Sequence, residues 1–125
     1  MNIGLIGIGT VGGGTYRVLK ENAAEISNKS GIEIKITHVA DKNLKLAKET
    51  VDKETIIEED AFSLIENSSI DTIIELIGGT GIALDIVKKA LENGKHVVTA
   101  NKALIAMHGE ELFKIANKKK CTSCL

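Results

Sequence analysis

Three glycines near the start of the chain, Gly7, Gly9 and Gly12, stand in the spacing G-x-G-x-x-G within MNIGLIGIGTVGGG. A short apolar run precedes them, and apolar residues at helical spacing follow over residues 11–26. A strand, a glycine turn and a helix in this order form the phosphate-binding loop of dinucleotide-binding folds. Gly7 would allow the tight turn, Gly9 the approach of the backbone to a pyrophosphate, and Gly12 close packing of the helix. The alternative is a glycine-rich turn without a ligand, since 12 of the 125 residues are glycine.

Asp41 and Lys42 follow an alternating, β-branched segment, residues 32–39, which predicts a second strand. An acidic side chain at the end of this strand bonds the ribose hydroxyls of NAD, whereas a basic one favours the 2′-phosphate of NADP. The two side chains therefore indicate opposite cofactors, with a slight preference for NAD. Asp41 lies 29 positions after Gly12, which a long first helix and a polar loop would explain. Asp41 could alternatively be an N-cap or a turn residue before the next helix.

Two later strand ends carry further residues that could do chemistry. Gly78 and Gly79 would let the nicotinamide half of the cofactor pass close to the backbone. Lys102 would stand near the reactive ring, where a lysine can donate a proton or polarise a carbonyl. The alternative for Lys102 is a solvated lysine at a helix start. Glu75 could belong to the site or only orient the loop that follows it.

The elements that must position these residues alternate along the chain. Strands are predicted over residues 3–8, 32–39, 55–57, 71–77 and 95–99, and helices over 11–26, 43–51, 60–67, 82–92, 100–107 and 109–120. This alternation predicts an α/β, doubly wound parallel sheet of Rossmann type with about five strands. In such sheets ligands bind beyond the carboxyl ends of the strands. His108 is predicted to lie in a turn between the last two helices.

Composition limits the classes of partner. Basic and acidic residues number 16 and 17, which predicts no binding of nucleic acid or membrane. No run of 18 apolar residues occurs and no signal peptide is readable, so we expect a cytoplasmic protein. Cys121 and Cys124 form a lone C-x-x-C without a second pair, and we therefore predict no metal site.

Three segments together resemble the start of homoserine dehydrogenase. They are GLIGIGTVGGG at residues 4–14, DTIIELIGGT at 71–80 and ALENGKHVVTANKALIAMHGEELF at 90–113, of which the last is the most specific. The resemblance covers nearly all of residues 1–118. It implies reduction of L-aspartate 4-semialdehyde to L-homoserine with NADPH or NADH, on the route to threonine and methionine.

The resemblance also implies roles for individual residues. Residues expected to contact NAD or NADP are Gly7, Gly9, Thr10, Val11, Gly12, Gly78, Gly79, Thr99, Ala100 and Asn101. Lys102, the lysine of the family's T-A-N-K motif, is expected to act at the substrate carbonyl. Asp41 and Lys42 stand where family members often carry an arginine for the NADP phosphate, so the preference between NAD and NADP stays open.

The family continues with another strand and a substrate-binding and dimerisation domain, which supplies a second catalytic lysine. We therefore expect a dinucleotide-binding domain at residues 1–118, an atypical tail at 119–125, and no activity of the chain alone. The small-molecule substrate would be reached through the missing domain, and the full-length family would form homo-oligomers. The tail follows a run of three lysines at residues 118–120 and is interpreted as the product of a frameshift or truncation at that run, which sequencing of the locus would test.

Two other interpretations stay open. One is a non-catalytic NAD-binding module, which would need only the glycine loop and Asp41 and would have no use for Lys102. The other is a different dehydrogenase of the semialdehyde or dihydrodipicolinate reductase type. The length of the match over residues 90–113 argues against the second.

Overall fold

The computed structural model describes residues 1–31, 33–77, 81–99, 101–119 and 123–124. Within them the strands are β1 (Asn2–Ile6), β2 (Lys35–Ala40), β3 (Ile56–Glu58), β4 (Thr72–Glu75), β5 (His96–Thr99) and β6 (Ser123–Cys124). The helices are α1 (Thr10–Ser30), α2 (Leu44–Thr50), α3 (Ala61–Glu66), α4 (Gly81–Glu92) and α5 (Lys102–Lys119). The strands form one parallel sheet in the order β3-β2-β1-β4-β5-β6, which confirms the α/β, doubly wound class.

The sheet changes its direction of growth at β1. Ile6 at the end of β1 pairs with Ala40 of β2 on one side and with Glu75 of β4 on the other. The connection after β1 leads to β2 on one side of β1, and the connection after β3 leads to β4 on the other side. Such a switch point opens a crevice beyond the carboxyl ends of the two central strands.

Alternation along the central strands divides the core between the two faces of the sheet. Leu5 and Ile74 pack with Tyr16 of α1 and Ala47 of α2. Ile6 and Ile73 face the opposite layer, formed by α3, α4 and α5. The buried residues of that layer are Leu64, Ile65, Ala83, Ile86, Val87, Ala90, Leu91, Leu104, Leu112 and Ala116. Each large aliphatic side chain so buried contributes about 1.5–3 kcal/mol, so a core almost without aromatics suffices.

Helix α5 is continuous where the sequence predicted two helices with a turn at His108 and Gly109. A glycine inside a helix costs about 1 kcal/mol relative to alanine. Leu104 and Leu112, on either side of this point, are both fully buried, and their burial outweighs that cost. The predicted turn is therefore wrong.

The sheet has six strands where about five were expected, and the sixth has two residues. Ser123 pairs with Val97 and Cys124 with Val98, in parallel register. The outer edge of β5 presents unpaired N–H and C=O groups, and a following extended segment can pair with them whatever its side chains are. This two-residue strand is the outermost one, so β5 is the second strand from that edge of the sheet. Cys121 lies outside the described residues.

Among the described residues, none of the helices is long and apolar enough to cross a bilayer. The same part of the chain contains no group of three histidine, cysteine or acidic side chains arranged to hold a metal ion.

Candidate cofactor-binding site

The glycine loop begins where β1 ends. Gly7 has a φ of 96°, a conformation that L side chains rarely adopt, and its N–H donates to the carbonyl oxygen of Ala40 at 2.9 Å. A Cβ at this position would lie 3.1 Å from the backbone carbonyl carbon of Leu76. The tight turn predicted for the first glycine of the motif is present at Gly7. It packs against β2 and the segment after β4.

The next glycines set the start of α1 against this turn. A Cβ at Gly12 would collide with the carbonyl oxygen of Gly7. Gly9 is the N-cap of α1, with no side-chain cap, and a Cβ there would meet no atom within 4 Å. Thr10 and Val11 form the first positions of the helix. The N-terminus of α1 therefore adjoins open space, which is the geometry that binds a phosphate anion.

Asp41 ties the end of β2 to the glycine loop. Its Oδ2 accepts a hydrogen bond from the Ile8 N–H at 2.7 Å, and its Oδ1 accepts from the Asn43 N–H at 2.8 Å. The N-cap of α2 is Asn43, whose Oδ1 accepts from the Leu46 N–H at 3.1 Å. Asp41 is therefore not the helix cap, but its Oδ1 does accept the i-to-i+2 hydrogen bond of a turn before α2, while its Oδ2 holds the glycine loop.

A cavity of about 420 Å³ opens at this edge of the sheet. Its polar lining consists of Asp41, Lys42, Glu59 and Asp60, next to Gly7 and Gly9 of the loop. Apolar walls come from Ile6, Ala40, Ala61, Phe62, Leu76, Ile77, Ile82 and Ile86. Its volume lies within the range of small-molecule sites, and its lining combines a few polar side chains with a larger number of apolar ones.

Sequence reasoning did not include Glu59, Asp60 or Phe62 in the site. These residues follow β3, which pairs with β2, so their place beside Asp41 depends on the order of the strands. The signal that could have found them is the rule that residues just beyond neighbouring parallel strands meet at one edge.

The remaining predicted residues form a second group at the ends of β4 and β5. Thr99 is fully buried, while Lys102 is exposed in the first turn of α5. Within the described part of the chain, Thr99, Asn101 and Lys102 do not line this cavity. Gly78, Gly79 and Ala100 lie outside the described residues.

Glu75 connects the members of this second group. Its Oε1 accepts a hydrogen bond from the Ile77 N–H at 2.8 Å, and its Oε2 accepts from the Thr99 hydroxyl at 2.7 Å. The Thr99 oxygen in turn accepts from the Asn101 N–H at 3.1 Å. The sequence left the role of Glu75 undecided, and the structure places its carboxylate between the two loops.

Comparison with known proteins agrees with this geometry. The sequence model of the family described as "Homoserine dehydrogenase, NAD binding domain" matches residues 7–125. The homoserine dehydrogenase of Methylobacillus glycogenes is 50% identical over the whole chain, and that of Neisseria gonorrhoeae is 47% identical over 95% of it. The chain spans about 30% and 27% of the lengths of these two relatives.

Solved structures give the same result. A homoserine dehydrogenase from Thiobacillus denitrificans superimposes with a TM-score of 0.93 at 41% identity, over all of this chain and 29% of that one. An NAD-binding oxidoreductase from Klebsiella pneumoniae, at 20% identity and a TM-score of 0.82, shares the fold alone. The matched family model shows that the chain binds NAD or NADP, and the chain belongs to the homoserine dehydrogenase NAD-binding domain family.

Proposed function

We propose that these 125 residues form the cofactor-binding part of an enzyme that reduces L-aspartate 4-semialdehyde to L-homoserine. The observation that carries this proposal is the junction of the glycine loop with Asp41 beside an open cavity. A second support is the resemblance of residues 90–113 to the family segment that contains the T-A-N-K motif. By this resemblance Lys102 is the lysine that acts at the substrate carbonyl during hydride transfer.

Each predicted residue has a role in this proposal. The pyrophosphate of NAD or NADP lies at the N-terminus of α1, against Gly9, Thr10, Val11 and Gly12. The carboxylate of Asp41 accepts hydrogen bonds from the ribose hydroxyls of the adenosine half.

Lys42 lies beside the position of a 2′-phosphate. Because three carboxylates, Asp41, Glu59 and Asp60, line the same cavity as this one lysine, the local charge favours NAD over NADP.

The nicotinamide half lies at the ends of β4 and β5, near Gly78, Gly79, Thr99, Ala100 and Asn101. When bound, the reduced cofactor supplies a hydride to the aldehyde carbon of the substrate. The carbonyl oxygen then gains negative charge, and Lys102 stabilises that charge and donates a proton to the oxygen.

The substrate must be held against the nicotinamide for this transfer, and effective concentration supplies much of the rate. In relatives about three times as long, most of the chain lies outside the matched part. We therefore expect these residues to bind cofactor but to show no turnover alone. The proposed setting is a homo-oligomeric cytoplasmic enzyme of threonine and methionine biosynthesis.

Calorimetric titration of the purified chain with NAD and with NADP, beside a dehydrogenase assay with L-homoserine, tests the proposal. We expect saturable binding, tighter for NAD, and no production of NADH or NADPH. Rapid turnover by the isolated chain would contradict the assignment as a cofactor-binding part. Absence of binding to a chain whose circular dichroism shows a folded α/β domain would contradict the site itself.

A further inference from the structure

Glu75 is the last residue of β4 and is fully buried, with an exposed fraction of 0%. Ile6, its neighbour in register on β1, is also buried but apolar. A carboxylate at this depth is costly unless hydrogen bonds replace its water, and an aliphatic residue would fill such a position at no such cost. The choice of glutamate therefore requires an explanation beyond packing of the sheet.

The two oxygens of this carboxylate accept hydrogen bonds from two different segments, one after β4 and one at the end of β5. One oxygen holds the Ile77 N–H at 2.8 Å, just before the segment that contains Gly78 and Gly79. The other holds the Thr99 hydroxyl at 2.7 Å. Ile77 lies in the loop after β4 and Thr99 is the last residue of β5, so both partners lie at the carboxyl ends of the strands, where the proposed cofactor site is.

The second of these hydrogen bonds connects further to α5. The Thr99 oxygen accepts from the Asn101 N–H at 3.1 Å, and the Asn101 Oδ1 accepts from the Leu104 N–H at 3.0 Å, as an N-cap does. A continuous series of hydrogen bonds therefore joins the buried carboxylate to the first turn of α5. Lys102 is the first residue of that helix.

We propose that Glu75 is a positioning residue that holds the loops after β4 and β5 in the arrangement that receives the nicotinamide. The inference rests on the proposed function, because it assigns the nicotinamide half to this side. Glu75 acts through Ile77, Thr99 and Asn101 and does not touch substrate. Its loss should loosen the start of α5, and with it Lys102, while the glycine loop and Asp41 stay intact.

Glu75→Gln is the main variant, because it keeps the shape of the side chain. The glutamine oxygen can still accept from Ile77, but its amide group donates, so Thr99 would face two donors and its own proton would lose its acceptor. Thr99→Val is the second variant, because it removes the hydroxyl that joins Glu75 to Asn101 and suits a strand. Asp71→Asn is the matched control, since Asp71 precedes the same strand and accepts from the Asn2 N–H at the opposite edge.

Two readouts decide the matter. In the free chain, amide hydrogen exchange at Asn101 and Leu104 should accelerate about tenfold or more in both variants, and not in the control. In titrations, NAD should bind about tenfold more weakly to Glu75→Gln, whereas ADP-ribose, which lacks the nicotinamide, should keep its affinity. Unchanged exchange at Asn101 in both variants, or equal losses for NAD and ADP-ribose, would overturn the proposal.

The same experiment separates failure of this inference from failure of the proposed function. If the wild-type chain binds neither NAD nor ADP-ribose, the proposed function fails, and the exchange rates at Asn101 and Leu104 still decide whether Glu75 holds the loops. If Glu75→Gln does not fold, Thr99→Val supplies the hydrogen-exchange readout at Asn101 and Leu104, and unchanged exchange there would overturn the proposal.

Discussion

The strands of the sheet begin at one edge, the amino-terminal edge, and finish at the other, the carboxyl edge. Polar side chains form hydrogen bonds between loops at both, but only the carboxyl edge has the cavity beside the glycine loop. At the amino-terminal edge, polar groups join one loop to another. Lys95 is 7% exposed and its Nζ donates to the carbonyl oxygens of Asn67 at 2.8 Å and Ile70 at 2.5 Å. Asn2 donates its N–H to the Asp71 carboxylate at 2.9 Å. These hydrogen bonds tie the starts of β1 and β5 to the segment before β4.

At the carboxyl edge, a similar hydrogen bond lies beside the open cavity. Asp41 holds the glycine loop through Ile8 yet lines the cavity, and Gly9 has open space where a side chain would stand. We therefore expect the amino-terminal ends of the strands to serve stability and the carboxyl ends to serve ligand binding. Substitutions at the amino-terminal edge should change the free energy of unfolding and leave the dissociation constant of the cofactor unchanged, whereas substitutions at the carboxyl edge should change that dissociation constant, with or without a change in stability.

Gly12→Ala should have the largest effect, because the new Cβ would collide with the carbonyl oxygen of Gly7. We expect α1 to move away from the loop, with a loss of about 3 kcal/mol in the free energy of unfolding and no measurable NAD binding. Urea denaturation and calorimetric titration would measure the two quantities.

Gly14→Ala is the matched control, since a Cβ at that position of the same helix would meet no atom within 4 Å. It should stabilise the chain by about 0.5–1 kcal/mol. Equal stability changes at the two positions would show that packing of α1 on the loop does not depend on Gly12.

Lys95→Met should lower stability by about 2 kcal/mol, because two carbonyl oxygens at a buried site would lose their donor. Cofactor affinity should not change, since the site lies at the other edge. Lys89→Met is the control, because Lys89 only approaches Glu66 on the surface, at 3.8 Å, and should cost less than about 0.5 kcal/mol. A large loss of NAD affinity in Lys95→Met would break the separation of the two edges.

Asp41→Asn should weaken NAD binding about tenfold, equivalent to about 1.4 kcal/mol, because a charged acceptor for the ribose hydroxyls is lost. NADP should lose less affinity, since the negative charge beside its 2′-phosphate also disappears. Lys42→Ala should act in the opposite sense and weaken NADP alone. Parallel changes for both cofactors in both variants would contradict the placement of the adenosine ribose.

The smallest effect concerns pH and lies away from both edges. The Asp52 carboxylate pairs with Lys20 at 2.7 Å, and this hydrogen bond lowers the pKa of Asp52 from 3.8 to about 2. Because the folded-state pKa is the lower one, the pair stabilises the fold above about pH 4 and loses that contribution as pH falls toward 2.

Asp52→Asn should therefore reduce stability at pH 7 by less than about 1 kcal/mol, since the Asp52 side chain is 47% exposed. The difference from wild type should shrink as urea denaturation is repeated from pH 5 down to pH 2. Glu25→Gln, in an exposed pair with Lys29, serves as control and should change stability by less than about 0.5 kcal/mol. A difference that stays constant over this range would contradict the assigned pKa.

Local pattern predicted most of the fold, because alternation and helical spacing depend on neighbours in the chain. The glycine loop was predictable for the same reason, since G-x-G-x-x-G encodes a turn and a packing distance within six residues. The continuity of α5 was not, because it depends on burial of Leu104 and Leu112 against other helices.

The contacts between the site residues could not be predicted from the sequence, because they join distant segments. Asp41 reaches Ile8 across 33 positions, and Glu75 reaches Thr99 across 24. Glu59 and Asp60 join the cavity only because β3 pairs with β2. Strand order and side-chain direction determine these contacts, and neither can be predicted from the residue spacing within a single segment. The roles assigned to the individual site residues stay predictions until ligand binding is measured.

The most direct test of the separation between the edges is to titrate the ¹⁵N-labelled chain with NAD and follow its amide resonances. We expect the shifts to concentrate at the carboxyl edge, at Gly9, Gly12, Asp41 and Asn101, with none at Asn2, Ser69 or Lys95. Shifts centred on the amino-terminal edge, or no shifts in a folded chain at millimolar NAD, would contradict the account.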